Sequence, residues 1–219
     1  MATFGFIGIG NMGGAIAVAA SKAHDPADIW VSAGHPEKAA EFAARHGMAA
    51  STKEQIANLV GGGYPVIRIM PNTPARIGQG VIQYDWNDRC QRSDVEQFLS
   101  VLGAAGHVSH LPERLIDAGS AVSGSGPAFA AMFIEAMADG GVICGLPRQT
   151  AMEYAARTLI GTAELMLQSG DHPGKMKDAV CSPGGSTIQG VRALEKGGFR
   201  SAVTEAVVAT WEKNKEFAK

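Results

Sequence analysis

The chain has 219 residues, 46% hydrophobic and 18% charged, with a formal net charge of −2. This balance describes a globular protein with one or two real cores and excludes a disordered chain. Dispersed basic residues and a slightly acidic total exclude binding to nucleic acid or an anionic membrane through charge alone.

The first residues run straight into TFGFIGIG without a basic n-region or cleavage site, so no signal peptide is read. No apolar run is read as long enough to span a bilayer. Thr3 to Ile7 is a short apolar strand, and a helix follows through Ala15 to Ser21. Between them Gly8-Ile9-Gly10-Asn11-Met12-Gly13 fits GxGxxG. Glycines there allow a tight turn and bring a pyrophosphate close to the helix N-terminus. A glycine-rich structural turn is the plainer alternative, and the position between strand and helix favours the dinucleotide.

Ile29 to Val31 is a second strand, and Pro36 to His46 a second helix closed by Gly47. The second strand ends on Ser32-Ala33-Gly34-His35, with no carboxylate to bind a ribose 2′-hydroxyl. Asp28 opens that strand instead of closing it. Ser32, His35 and Lys38 suit a 2′-phosphate, so NADP is expected, with NAD possible. Val66 to Met70 is a third strand stopped by Pro71, and Val81 to Tyr84 a fourth. Ser93 is read as the cap of a helix through Leu102, and His107 to Leu111 as a fifth strand. Strands alternating with helices predict an α/β fold with a parallel, Rossmann-like sheet over residues 1–112. Ligands sit at the C-terminal ends of such strands, which makes Asn72, Thr73 and Pro74 candidate cofactor residues.

After Pro112 only helical patterns divided by Gly and Pro remain, so residues 113–219 are predicted to be all-helical. Pro127 and Pro147 stand where first helical turns begin. The segment from Ala128 to Ile143 is apolar nearly all round and must be buried on most sides, which implies a partner chain. His107 and His110 fall on opposite faces of their strand and do not form a ligand pair. Glu135 and Asp139 share a helix face and read as a solvated or interhelical acid pair. No metal site is expected. Cys90, Cys144 and Cys181 lie far apart without CxxC spacing, consistent with reduced thiols in a cytoplasmic protein.

The stretch CSPGGSTIQGVRALEKGGF at 181 to 199 crowds Pro, Gly and hydroxyl residues before a helix with Ile188, Val191 and Leu194 at three-residue spacing. A helix start of this kind suits a carboxylate or phosphate. On these residues alone an ordinary N-cap with a glycine turn is preferred.

Four blocks together resemble Δ1-pyrroline-5-carboxylate reductase: GFIGIGNMGGAI, IRIMPNTPA at 67 to 75, VSGSGPAFAAMFIEAMADGGVICGLPR at 122 to 148, and HPGKMKDAVCSPGGSTIQGVRALEKGGFR at 172 to 200. They follow the family's order and cover nearly the whole chain. The resemblance implies reduction of a cyclic imine carboxylate to proline by NAD(P)H, and a homodimer or higher homo-oligomer interlocked through its helical domains. It implies a substrate site of Ser182, Gly184, Gly185, Ser186 and Thr187, with Thr187 the catalytic residue near the imine nitrogen. One departure stands out. The family carries a further stretch before IRIMPNTPA, with a strand ending in Val-Lys-Pro that lines the cofactor, whereas here KEQIANL passes through VGGGYP directly into VIRIM. Two rivals follow: a catalytically weak or inactive dimeric homologue lacking part of the cofactor site, and an oxidoreductase like the β-hydroxyacid dehydrogenases. The latter family uses a lysine on a helix of its second domain, and none occurs between Pro127 and Ile143.

Overall fold

The computed structural model describes residues 4–7, 11–32, 36–46, 48–50, 65 and 67–217. Its contacts divide the chain into two compact units, residues 1–127 with 214–219, and residues 128–213.

The first unit begins with β1 (Phe4–Ile7), α1 (Asn11–Ala20), β2 (Ile29–Ser32), α2 (Pro36–His46) and the two-residue β3 (Ala49–Ala50). These strands form a parallel sheet in the order β1-β2-β3. A second sheet contains β4 (Ile67–Met70), β5 (Gly80–Trp86) and β6 (Gly106–His110), with α3 (Arg92–Leu102) between the last two. Here β5 and β6 are parallel, but β4 and β5 run antiparallel. The parallel expectation is corrected for this pair. Residues 71–79 make a tight connection, whereas a parallel crossover needs a dozen or more residues. The expected start of α3 also moves, because Asp94 Oδ2 accepts the Gln91 N–H at 2.8 Å and the helix begins at Arg92.

Helix α1 is rich in small residues, and Ala15, Ile16, Ala17, Ala19 and Ala20 are all buried. It packs against the 3₁₀ turn Thr73–Ile77, α3 and the short 3₁₀ turn Gly103–Ala105. One core joins Ile16, Ile29 and Val31 to Ile82, Val101 and Leu102, so residues of both sheets meet around α1. The unit is closed by α4 (Glu113–Ser123), which buries Ile116, Ser120 and Ala121 and packs on β5.

Beyond α4 every element is helical: α5 (Gly126–Ile143), α6 (Arg148–Ser169), α7 (Pro173–Val180), α8 (Ser186–Lys196) and α9 (Phe199–Phe217). Little of α5 is covered within the chain. Ala138 is its buried residue, while Met132 is 69% and Ile143 87% exposed. Residues Glu113–Ile143, helical on both sides of a short turn, are long and apolar enough to cross a membrane by length and composition alone. This corrects the expectation that no such stretch exists.

Candidate active site

Two regions carry the predicted site residues, one in each unit. In the first, β1 leads through residues 8–10 into α1, and β1 pairs with β2 in a register that sets Ile7 beside Ser32. Parallel pairing places the C-terminal ends of both strands at the same edge as the start of α1. The first turn of α1 contains no acidic residue, so its N-terminal partial charge has no competing carboxylate. Asn11, Met12 and Gly13 all lie in that first turn. Asp28 lies at the opposite end of β2, in the 3₁₀ turn Pro26–Asp28. Gly8, Ile9, Gly10 and His35 fall outside the described residues.

The Asn72-Thr73-Pro74 segment follows β4 and opens the 3₁₀ turn that packs on α1. Thr73 is exposed and Pro74 partly so, but Asn72 is only 5% exposed. Its side-chain amide points into the domain. Oδ1 accepts the Val81 N–H and Nδ2 donates to the Ser123 carbonyl, both at 2.9 Å. The Asn72 side chain is thus engaged within the domain. Two partners of the same network, Gln83 and Ser123, were missed. The sequence signal for Gln83 was a lone amide between Ile82 and Tyr84 in an apolar strand.

At the other end of the β4–β5 hairpin, Arg68, Asp85, Trp86, Asn87 and Glu113 line a cleft of about 260 Å³. Asp85 organises it. Its carboxylate accepts the backbone N–H groups of Trp86 and Glu113 and lies 3.1 Å from His110 Nε2. These three contacts, the Trp86 N–H first, hold its carboxyl below the usual carboxylate range. The ring of His110 also packs against Trp86, with centroids 4.4 Å apart. Here His110 has a structural role.

The second region lies between α7 and α8. Cys181 ends α7, and the chain turns through Ser182-Pro183-Gly184-Gly185. Gly184 adopts φ +71°, in the left-handed region that glycine enters without strain. The Gly185 N–H closes the turn on the Ser182 carbonyl at 3.0 Å. A Cβ on Gly185 would lie 2.4 Å from Ser182 Oγ, which rotation of that side chain relieves, and 3.1 Å from the Ser182 carbonyl oxygen, a tight approach. Gly185 then acts as the N-cap of α8 without any side-chain hydrogen bond, and the first turn holds no acid. Ser182, Gly184, Ser186 and Thr187 are exposed around that uncapped helix start. Ser, Thr, Asp and Asn N-caps satisfy a free N–H with their own side-chain oxygen; Gly185 supplies none. Nearby, Lys177 is held in its charged form above the usual lysine range by Asp178.

The family model described as "Pyrroline-5-carboxylate reductase dimerisation" matches residues 113–217, and "NADP oxidoreductase coenzyme F420-dependent" matches residues 3–60. The chain is 48% identical over 160 residues to a pyrroline-5-carboxylate reductase of Synechocystis, covering 72% of this chain and 60% of that one. It therefore spans about three-fifths of that relative's length. The enzyme of the same name from Escherichia coli is 35% identical over 98% of both chains. That alignment runs over 263 positions, at least 44 more than this chain has residues. Among solved structures, the Streptococcus pyogenes 1-pyrroline-5-carboxylate reductase superposes with a TM-score of 0.87 at 26% identity, covering 98% of each chain. A Plasmodium falciparum pyrroline carboxylate reductase with NADP bound gives 0.81 at 25%, covering 100% of this chain and 98% of that one.

Proposed function

The chain belongs to the pyrroline-5-carboxylate reductase family, and we propose that it reduces 1-pyrroline-5-carboxylate to L-proline, the last step of proline biosynthesis. The observation that carries this reading is the 35% identity to the Escherichia coli reductase across 98% of both chains.

The chemistry asks little of the protein beyond placement. A protonated cyclic imine is already electrophilic at carbon, so it requires neither a nucleophile nor a metal. It requires orientation, which is worth several kcal/mol when the reacting atoms are held in line. We assign the substrate carboxylate to the uncapped start of α8, with the Gly184-Gly185 backbone and the Ser182 and Ser186 hydroxyls around it. Thr187, one residue into the helix, is assigned to the imine nitrogen. It keeps the ring oriented and donates or accepts a hydrogen bond as that nitrogen becomes an amine.

The residues present fit the phosphate part of NADP. Strand β1 and helix α1 are formed on either side of residues 8–10, α1 opens without an acid, and Ser32 ends β2 where a carboxylate would otherwise reject a 2′-phosphate. We assign the pyrophosphate to Gly8, Ile9, Gly10, Asn11, Met12 and Gly13, the 2′-phosphate to Ser32 and His35, and the far end to Thr73 and Pro74. When bound, NADPH supplies the hydride. The match to a dimerisation domain and the exposed face of α5 support a homodimer or larger homo-oligomer. Three cysteines far apart in the sequence and without CxxC spacing support a cytoplasmic location.

A second reading is favoured by one observation. The alignment that leaves at least 44 positions unmatched makes a dimeric homologue with a weakened cofactor site the main rival. Mixing the protein with NADPH and pyrroline-5-carboxylate and following nicotinamide absorbance decides between them. Proline formation is expected; no absorbance change at high NADPH, with the protein folded, would leave the inactive homologue.

A further inference from the structure

We propose that Asn72 is a positioning residue that sets the Thr73-Pro74 turn by tying it at once to β5 and to the C-terminal end of α4, with Ser123 and Gln83 completing the tie.

The geometry begins with an interruption. The β4–β5 ladder runs from Ile67↔Trp86 to Met70↔Gln83, and Pro71, which lacks an N–H, stops it. Continued by two residues, the register would set Asn72 opposite Val81. At that position the Asn72 side chain replaces a backbone bond, its Oδ1 accepting the Val81 N–H at 2.9 Å. Ser123 is the last residue of α4, so its carbonyl is one of those the helix leaves unpaired. Asn72 Nδ2 donates to that carbonyl at 2.9 Å. One amide therefore satisfies the loose end of a strand and the loose end of a helix.

Ser123 is held from a second side. Its hydroxyl donates to the Gly119 carbonyl at 3.0 Å and accepts from Gln83 Nε2 at 2.8 Å. Gln83 is 6% exposed and lies against Gly119, where a Cβ would fall within 2.5 Å of Oε1. Buried polar contacts of this kind are strong when made and costly when one partner is removed. The turn after β4 thus starts from a braced residue, and the Ala75 N–H closes it on the Asn72 carbonyl at 3.2 Å. Exposed Thr73 is left to face a ligand, with its backbone fixed from behind.

The reductase reading is needed only for the kinetic arm of the test. In Asn72→Ala, amide exchange should quicken at Val81, at Ala75 and Gly78 in the turn, and at Gly124 and Ser125 beyond α4, with α1 and β2 protected as before. kcat should fall about thirtyfold or more, a loss of orientation, and the NADPH Kd read from nicotinamide fluorescence should weaken about threefold or more as the Thr73-Pro74 turn loosens. Asn72→Asp keeps the acceptor for Val81 and loses the donor to Ser123, so its faster exchange should be limited to Gly124 and Ser125. This milder variant decides the matter if Asn72→Ala fails to fold. Exchange changes confined to Val81 in Asn72→Ala, or none at Gly124 and Ser125 in Asn72→Asp, would overturn the tie. A weakened NADPH Kd with kcat intact would instead make Asn72 a direct cofactor ligand. Absence of turnover in the unaltered protein counts against the reductase reading alone, since the exchange arm still decides the tie.

Discussion

At the scale of single residues, the turn before α8 separates two roles that a sequence motif runs together. Thr187 is exposed, so removing its hydroxyl leaves no buried group unpaired. Thr187→Ala should keep the unaltered melting temperature and NADPH affinity yet lose turnover, by about 2–3 kcal/mol of transition-state stabilisation in kcat/KM for the imine. Gly184 carries no functional atom but holds φ +71°. Gly184→Ala should cost roughly 1–2 kcal/mol of stability from the left-handed backbone alone and raise KM for the imine as the turn shifts. Steady-state kinetics beside thermal melts of both variants check the pair. Equal losses of stability in the two would mean that the turn acts only as a helix start. Asn72 shows the opposite limit of legibility. Its motif was readable, but its partners lie 9 and 51 residues away, and no local pattern reveals which way an amide faces.

At the scale of elements, the strands and helices before Pro112 were readable because apolar runs alternate with periodic segments between Gly and Pro. Strand direction was less readable. It depends on connection length, and residues 71–79 are too few for the crossover that a parallel neighbour requires. The strand read as Val81 to Tyr84 continues to Trp86, because Asp85 belongs to the ladder opposite Arg68. Asp85 also accepts the first N–H of α4 across the sheet edge, a cap supplied from another element and so invisible in the sequence around Glu113. Its folded pKa lies below its ordinary value of 3.8, with the Trp86 and Glu113 N–H groups and His110 as causes. A depressed carboxylate contributes stability that is complete above the unfolded pKa and is lost as pH falls through the folded one. Unfolding midpoints in urea should therefore drop on acidification below about pH 4, and Asp85→Ala should flatten that part of the decline. An identical acid limb in the variant would remove Asp85 from the account.

At the scale of the whole molecule, the helices after α4 leave large apolar side chains uncovered, Ile160 at 59% and Leu167 at 79% exposure among them. Sedimentation at micromolar concentration should give a dimer or larger species; a 22.8 kDa monomer would leave that surface unexplained. The first unit has an opening of another kind. Among the described residues β1 pairs only with β2, and β4 only with β5, so each stands at the end of its own sheet although their residues share one core around α1. Relatives that extend the alignment to 263 positions have chain to spare for a strand in such a place. The resemblance implies that a family strand ending in Val-Lys-Pro, a tripeptide this sequence does not contain, flanks the cofactor beside the glycine loop. The core does not depend on it, because α1 already joins the two sheets, so the unit should fold. The cofactor should suffer instead, keeping its pyrophosphate site and losing one wall, with the braced Thr73-Pro74 turn left to serve in its place. NADPH should bind about tenfold or more weakly than to the Escherichia coli relative in the same fluorescence titration, a deficit of roughly 1.4 kcal/mol or more, and turnover should be slow. Equal affinity and brisk proline formation, on protein whose mass matches these 219 residues, would show that the turn after β4 has taken over the missing strand's part.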